Sequence, residues 1–377
     1  MTMPKTRFTA QFLTRFLFVA LCTVVECRAA RSWAAEKNMS EVSNERSSIS
    51  LLEESADPVA FSSQRMAAAR AIENKRRDRL FEDKVSQYLA GQALEVAKQK
   101  MKTEKGYPRT RNISIRTKYF DDFLEHVSVE HGIEQIVLVG AGMDTRAFRL
   151  ALAPQLKEQT PKRYDWLWRR GKNRRQLTAG EDSIVSVPSR CFYEVDQEKV
   201  LEEKEKLMAL LPRKLKLKHR RKSVYFDLTN GNFKKMLLES GFDPTMPSVW
   251  ILEGLSMYLS EAQNIALLEQ IASLCLHSAS FVGLSFVNTK AVENAQNSQS
   301  PLMQQWVFGT DSLGDLLSKL ESPPKFHIIS TVNLGDPGGY PTGASYHAYA
   351  RRPNSAYTGG QVTYALLRSA SNQGKYT

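Results

Sequence analysis

Cysteine is scarce in this chain, and no apolar run near its start is long enough to cross a bilayer. Of the four cysteines, Cys22 and Cys27 fall within the first 35 residues. The remainder keeps Cys191 and Cys275, which excludes a disulfide framework and a cysteine-built metal site. The apolar stretch 16–25 is too short for a membrane span. Acidic residues are missing before Glu26, whereas Lys5, Arg7 and Arg15 precede that stretch. A cationic, acid-free start, a short apolar centre and the small pairs Ala29 with Ala30 and Ala34 with Ala35 describe a cleavable leader over residues 1–35, a signal or transit peptide. The expected location of the mature chain is an organelle or the secretory route. Histidine is also sparse, at six residues, and none lies in a motif at a strand end. Internal repeats and long low-complexity segments are absent.

Charge of one sign is in excess. The chain carries 52 Lys and Arg against 40 Asp and Glu, a formal net charge of +12. Much of the surplus sits in residues 157–175, where Trp166 and Trp168 stand among basic side chains, and in residues 213–222. Basic residues interleaved with tryptophan suit a polyanion-binding surface, and the same runs equally suit solvated loops.

The most informative stretch is QIVLVGAGMDTRAFRL, residues 135–150. Its first five residues form an apolar, β-branched run that suits a strand buried on both faces. Gly140 and Gly142 break the run, Asp144 and Thr145 are good helix N-caps, and Ala147, Phe148 and Leu150 begin an apolar helical face. This strand, turn and helix open a doubly wound α/β sheet, whose ligand lies outside the carboxyl ends of the strands. The third position of a dinucleotide fingerprint is filled by Thr145 rather than glycine or alanine. Asp144 would repel a pyrophosphate but welcome an ammonium or sulfonium. The pattern favours S-adenosylmethionine over NAD.

The rest of the chain is consistent with one large domain over residues 63–352. Before it lie the leader and a polar linker, 36–62. A helix is predicted over 63–91 with a stop at Gly91, and a second over 115–129. These two would form a helical lid over the first strand's carboxyl end. Residues 151–190 read as a basic insertion. Strands follow at 191–196, 224–228, 249–253 and 280–287, alternating with helices at 197–211, 233–240 and 261–275. An antiparallel pair is predicted at 327–334 and 345–350, then a flexible tail over 353–377.

Three successive strands finish in Asp196, Asp227 and Glu253, all on the edge where the first finishes in GAGMD. A carboxylate after the second strand can accept hydrogen bonds from both ribose hydroxyls. One after the third can accept from the adenine amine, with Leu228 offering backbone groups and an apolar side. Glu253 would sit nearest the reacting end.

These motifs resemble the leucine carboxyl methyltransferase family of S-adenosylmethionine-dependent enzymes. The likeness spans roughly residues 63–351 and rests on AAARAIE with DRLFED, RTKYFDDFL, VLVGAGMDTRAFRL, FYEVDQ with Val200 and Lys204, YFDL, GFDP and WILEGLSMYL. It implies a class I methyltransferase fold: a Rossmann-like, mostly parallel sheet with an antiparallel late strand. It also implies that Arg116 pairs with the cofactor's methionine carboxylate. Gly140 and Gly142 would admit the backbone close to the cofactor, Asp196 would hold the ribose, Asp227 and Leu228 the adenine, and Glu253 would line the pocket beside the methionine. The basic insertion and Ser322-Pro323-Pro324-Lys325-Phe326 depart from the family's pattern.

The expected reaction is methyl transfer to an oxygen. A carboxylate acceptor needs no general base, whereas a hydroxyl acceptor does. Tyr258, following Glu253, would orient the acceptor, and these two are the candidate catalytic residues. No metal site is expected. The expected acceptor is a small molecule in a closed apolar pocket covered by Phe81, Tyr119, Phe123, Trp306 and Phe308. The alternatives are a protein's terminal carboxylate, or a basic polyanion binder on the same scaffold.

Overall fold

A computed structural model describes residues 58–103, 108–152, 190–228, 232–321, 325–334 and 359–370. The leader, most of the linker, nearly all of the basic insertion and the predicted strand at 345–350 lie outside the described residues.

Burial on both faces explains the central strands. In β1 (Gln135–Val139) every residue is buried. β2 (Cys191–Asp196) and β4 (Ser248–Leu252) flank it in parallel, and β3 (Arg220–Tyr225) and β5 (Phe281–Val287) continue the sheet outward. The last two strands are β6 (Lys325–Asn333) and β7 (Val362–Ala370), giving the order β3-β2-β1-β4-β5-β7-β6. β7 runs antiparallel to both of its neighbours. This is the doubly wound α/β sheet read from the sequence, with its antiparallel late strand.

Alternation along each strand divides the core into two layers. Val137, Val139, Tyr193, Val195, Trp250 and Leu252 face one layer. Ile136, Leu138, Phe192, Val249 and Ile251 face the other, where they meet Ile115, Tyr119, Phe120, Phe123 and Leu124. The helices in chain order are α1 (Pro58–Asn74), α2 (Ser86–Leu89), α3 (Ala93–Thr103), α4 (Pro108–Glu130), α5 (Arg146–Arg149), α6 (Glu198–Ala209), α7 (Phe233–Glu239), α8 (Glu261–Leu274), α9 (Thr289–Gln296), α10 (Pro301–Gln304) and α11 (Leu313–Ser318). None of the described helices is long and apolar enough to cross a membrane. Strand order reverses between β1 and β4, which opens a crevice at their carboxyl ends.

Three expectations need correction. The helix predicted over 63–91 is instead α1, a turn and α2. The turn is held by side chains: Glu73 accepts from the Leu80 amide at 2.8 Å, and Asp83 accepts from the Ser86 amide at 2.9 Å. The third strand begins at Arg220, inside the run read as a loop, and ends at Tyr225 rather than Leu228. It is an edge strand with only Val224 buried, so its sequence carries no apolar run. The partner of β6 is β7, which lies inside the stretch read as a flexible tail. Its Tyr364, Ala365, Leu366 and Leu367 are buried between β5 and β6.

The position of β7 makes it indispensable to both neighbours. A chain ending at residue 352 is expected to lose its cooperative thermal transition and to bind a hydrophobic dye. A sharp melting transition in that shortened chain would restore the reading of residues 353–377 as a tail.

Candidate functional site

A cavity of about 570 Å³ occupies the crevice at the carboxyl ends of the central strands. Arg116, Gly140, Gly142, Asp144, Asp196, Asp227, Leu228, Glu253 and Tyr258 all line it. The candidate residues of the sequence are therefore gathered in one place. Of the aromatic residues expected to cover it, Trp306 lines the cavity. Tyr119, Phe123 and Phe308 are buried in the core instead, and Phe81 lies under the Arg149 guanidinium, 5.2 Å from ring centre to carbon.

The glycine loop has positive φ at Gly140 (69°) and Gly142 (46°), where side chains are strained. A Cβ on Gly142 would come within 2.8 Å of the Ser63 Cβ, so the same glycine lets α1 close over the loop. The Gly142 amide donates to Asp196 Oδ2 at 2.6 Å, and the Gln197 amide donates to Asp196 Oδ1 at 2.8 Å. Burial pushes the Asp196 carboxyl up, against the pull of these two amides. Each carboxylate oxygen retains a second lone pair for a ligand hydroxyl.

The turn after β4 is pinned from below. The Gly254 amide donates to Ser285 Oγ at 2.7 Å, and Ser256 Oγ donates to the Ser285 carbonyl at 2.9 Å. Buried Asn264 donates to the carbonyls of Ser256 and Leu259. Ser260 and Gln263 then form a reciprocal capping box that starts α8. Tyr258 is thereby fixed at the cavity wall.

The largest feature missed by sequence reasoning is Arg146, although it lies within the glycine-loop motif. Its side chain is 2% exposed and reaches three carboxylates: Asp121 at 2.8 Å, Asp144 at 2.5 Å and Glu253 at 2.7 Å. Arg116 binds the other oxygen of Glu253 at 2.8 Å. Arg149 grips Asp121 through both terminal nitrogens, and Arg70 binds Asp83 at 3.1 Å and the Met143 carbonyl at 2.5 Å. The available signal was the pairing of two arginines in TRAFR with acids in DRLFED and KYFDDF. Lone arginines on a short helix gave no reason to expect burial.

This network changes two roles assigned from the sequence. Asp144 is not an N-cap of the usual kind; its carboxylate accepts from the Arg146 amide at 2.7 Å and pairs with the Arg146 side chain. Burial raises its pKa, but Arg146, helped by Arg70, outweighs that and holds it at about 2. Its negative charge is already compensated inside the protein, so attraction to a sulfonium is weaker than the bare motif implies. Glu253 was counted as catalytic, but both oxygens are engaged by guanidinium groups. Burial again opposes ionisation and Arg146 and Arg116 overcome it, lowering the pKa. A carboxylate so held positions Arg116 and is a poor proton acceptor. Tyr258 is shifted the other way: burial raises its phenol, offset in part by Trp306, Arg116 and Arg65. It stays protonated at neutral pH and orients rather than deprotonates.

No described group of three or more His, Cys, Asp and Glu residues has a metal-binding arrangement.

With this geometry in hand, comparison with known proteins is specific. The family described as leucine carboxyl methyltransferase matches residues 63–157 and 185–272. A Streptomyces coelicolor protein named "Putative S-adenosyl-L-methionine-dependent methyltransferase" is 30% identical over 235 residues, 60% of this chain and 69% of that one. A Mycobacteroides abscessus protein of the same name is 28% identical over 222 residues, 57% of this chain and 60% of its own length. The crystal structure of a DUF574-family protein from Streptomyces avermitilis aligns with a TM-score of 0.45 at 12% identity, covering 80% of this chain and 96% of that one.

Two outcomes follow from the buried charges. Arg146→Met leaves three carboxylates short of a partner and is expected to cost roughly 3–5 kcal/mol in urea unfolding. Arg79→Met, at the surface, is the control and should leave the midpoint unchanged. A loss no larger than the control's would show that the network relaxes freely.

The second concerns Glu125, on α4 beside this network. Burial first, then Asp121 and Asp122, raise its pKa from 4.5 to about 7. The folded chain holds that proton more tightly than the unfolded chain. The stabilisation is therefore full below pH 4.5 and is lost as pH rises through 7. Glu125→Gln should match wild type at pH 4 and exceed it at pH 8 by roughly 1–3 kcal/mol. Stability curves that run parallel across this window would refute the assignment.

Proposed function

Because this chain belongs to the leucine carboxyl methyltransferase family, we propose that it transfers a methyl group from S-adenosylmethionine to an oxygen of a small molecule. Its cofactor is S-adenosylmethionine, as in the relatives that share its motifs. Its sheet order, with β7 antiparallel between β5 and β6, is that of the class I methyltransferase fold.

The residues at the crevice fit that cofactor. Asp196, held by two amides, presents lone pairs to vicinal hydroxyls, as a ribose requires. Asp227 is exposed at the cavity edge and accepts from an exocyclic amine, while Phe226 and Leu228 supply apolar wall for a ring. Arg116, fixed by Glu253 through its Nε, is placed for a carboxylate at the methionine end. When bound, S-adenosylmethionine supplies a methyl group on a sulfonium and departs as a neutral thioether.

The protein's part is then to bind, align and exclude water. Among the described lining residues there is no histidine, lysine or cysteine. Asp144 and Glu253 are paired with arginines, and Tyr258 is held protonated. Few groups there can remove a proton, which supports an acceptor that brings its own anion. A carboxylate is such an acceptor, since it is ionised at neutral pH and loses no proton on becoming an ester. The cavity's volume of about 570 Å³, within the usual range for small-molecule sites, is consistent with a small acceptor beside the cofactor.

The single observation that carries this reading is the set of strand-end residues around one cavity at the switch point. Calorimetry with S-adenosylhomocysteine is expected to show binding, weakened by Asp196→Ala by about 1.5–3 kcal/mol. Asp227→Asn is the second variant, because Asp196 also holds two backbone amides; it should weaken binding as well. Binding of NADH in place of S-adenosylhomocysteine would overturn the reading. Label from the tritiated cofactor appearing only in protein, as base-labile ester, would overturn the small acceptor.

A further inference from the structure

Seven cations and no acid stand between Leu210 and Lys222, and the fold uses only some of them. Arg221 is paired with Glu194 and Glu205. Lys222 lies over the Tyr193 ring at 5.7 Å, and Lys218 Nζ donates to the Arg149 carbonyl at 2.7 Å. Arg213, Lys214 and Lys216 are exposed, and none of these three meets a carboxylate among the described residues. They alternate with leucines in the connection from α6 to β3, Leu210-Leu211-Pro212-Arg213-Lys214-Leu215-Lys216-Leu217-Lys218. Leu210 is 71% exposed, more than any other large apolar side chain among the described residues, and Leu217 is 43% exposed.

The backbone of this connection is pinned. The Leu215 amide donates to the Pro212 carbonyl at 2.8 Å, and the amides of Lys218 and His219 donate to the Ala147 carbonyl at 3.0 and 3.2 Å. The His219 ring binds the Leu150 carbonyl at 3.1 Å. Arg220, the first residue of β3, is level with Cys191 and Gln135 at the amino ends of β2 and β1. The connection therefore lies at the end of the sheet opposite the cavity, which is lined by Val139, Asp196 and Phe226. The methyl-transfer site makes no use of it.

Fixed cations interleaved with exposed leucines complement the interface of an anionic bilayer. Negative surface potential attracts Lys and Arg, and leucine side chains enter the boundary between headgroups and acyl chains. A nucleic acid offers the same negative charge but no apolar layer, and it calls for stacking aromatics, of which this connection has none. We propose that residues 210–218 dock the protein on an anionic membrane surface. Arg213, Lys214 and Lys216 lie among the headgroups, with Leu210 and Leu217 beneath them. The cavity is then a strand's length from the lipid, roughly 15–20 Å along β3, and is reached from water. This inference is independent of the methyltransferase reading.

The test is co-sedimentation of the full chain with vesicles of phosphatidylcholine alone, and of phosphatidylcholine with about one third phosphatidylglycerol. Binding is expected only to the anionic vesicles, and it weakens as salt is raised. Arg213→Gln combined with Lys214→Gln and Lys216→Gln should lower it roughly ten- to a hundredfold. Leu210→Ser with Leu217→Ser should lower it roughly tenfold. Arg213→Lys with Lys214→Arg and Lys216→Arg keeps every charge and should bind as wild type does. Equal binding to both kinds of vesicle, no binding to the anionic ones, or indifference to either the glutamine or the serine variant would each overturn the proposal. Tighter binding to a single-stranded oligonucleotide than to the anionic vesicles, lost in the glutamine variant, would assign the surface to nucleic acid instead.

Discussion

The site depends on one interaction above others: Arg146 buried among Asp121, Asp144 and Glu253. Those three acids come from α4, the glycine loop and the end of β4, so a single guanidinium fixes the relative positions of three elements. The network extends outward in a balanced way. Arg70, Arg116, Arg146 and Arg149 face Asp83, Asp121, Asp144 and Glu253. Removing that many charges from water is costly, and their mutual attraction returns little net stability. What the arrangement supplies is geometry. A one-residue slip in α1, α4 or α5 would leave several buried charges unmatched at once, so competing registers are strongly disfavoured.

This interaction also shows where the sequence was readable and where it was not. The strands β1, β2, β4 and β5 lie within a residue of their expected bounds, because burial on both faces writes itself as a predominantly apolar run. The acids at their ends were visible for the same reason, as the first polar residues after such a run. The partners of those acids were not visible. Arg146 and Asp121 are separated by 25 residues and meet only when α4 packs over the sheet. Periodicity reports which face of an element is buried and carries no information about which charge it will meet. The split between α1 and α2 was hidden likewise, since Glu73, Asn74 and Asp83 act there through local hydrogen bonds. β7 was lost because its place beside β5 is set by pairing with a strand distant in the chain.

The basic surplus has a partial structural account. β3 is the outermost strand on its side of the sheet, and Arg220 and Lys222 are exposed along it. Charged side chains on an edge discourage pairing with another chain. Inward of them, Arg221 is paired with Glu194 and Glu205, and the fully buried Lys204 binds Glu194 as well. Part of the run 213–222 thus has work within the fold, and it does not require a polyanion to explain it. The other basic run, 157–175, lies outside the described residues.

The charge balance bears finally on the reaction. An anionic acceptor and a sulfonium combine to give two neutral products, so charge disappears on the way to the transition state. Surroundings that reorganise to solvate separated ions, as water does, stabilise the reactants and slow such a step. In this cavity the charges flanking the methionine end are already paired with one another. Asp144 and Glu253 are committed to Arg146 and Arg116, and their fields are largely cancelled at short range. A wall of locked, mutually satisfied charges presents the reactants with little that can reorient toward them. It also leaves little that can remove a proton, which suits an acceptor that has none to lose. The network that fixes the geometry of the site therefore limits its acid–base chemistry too, which is in keeping with the proposed carboxylate acceptor.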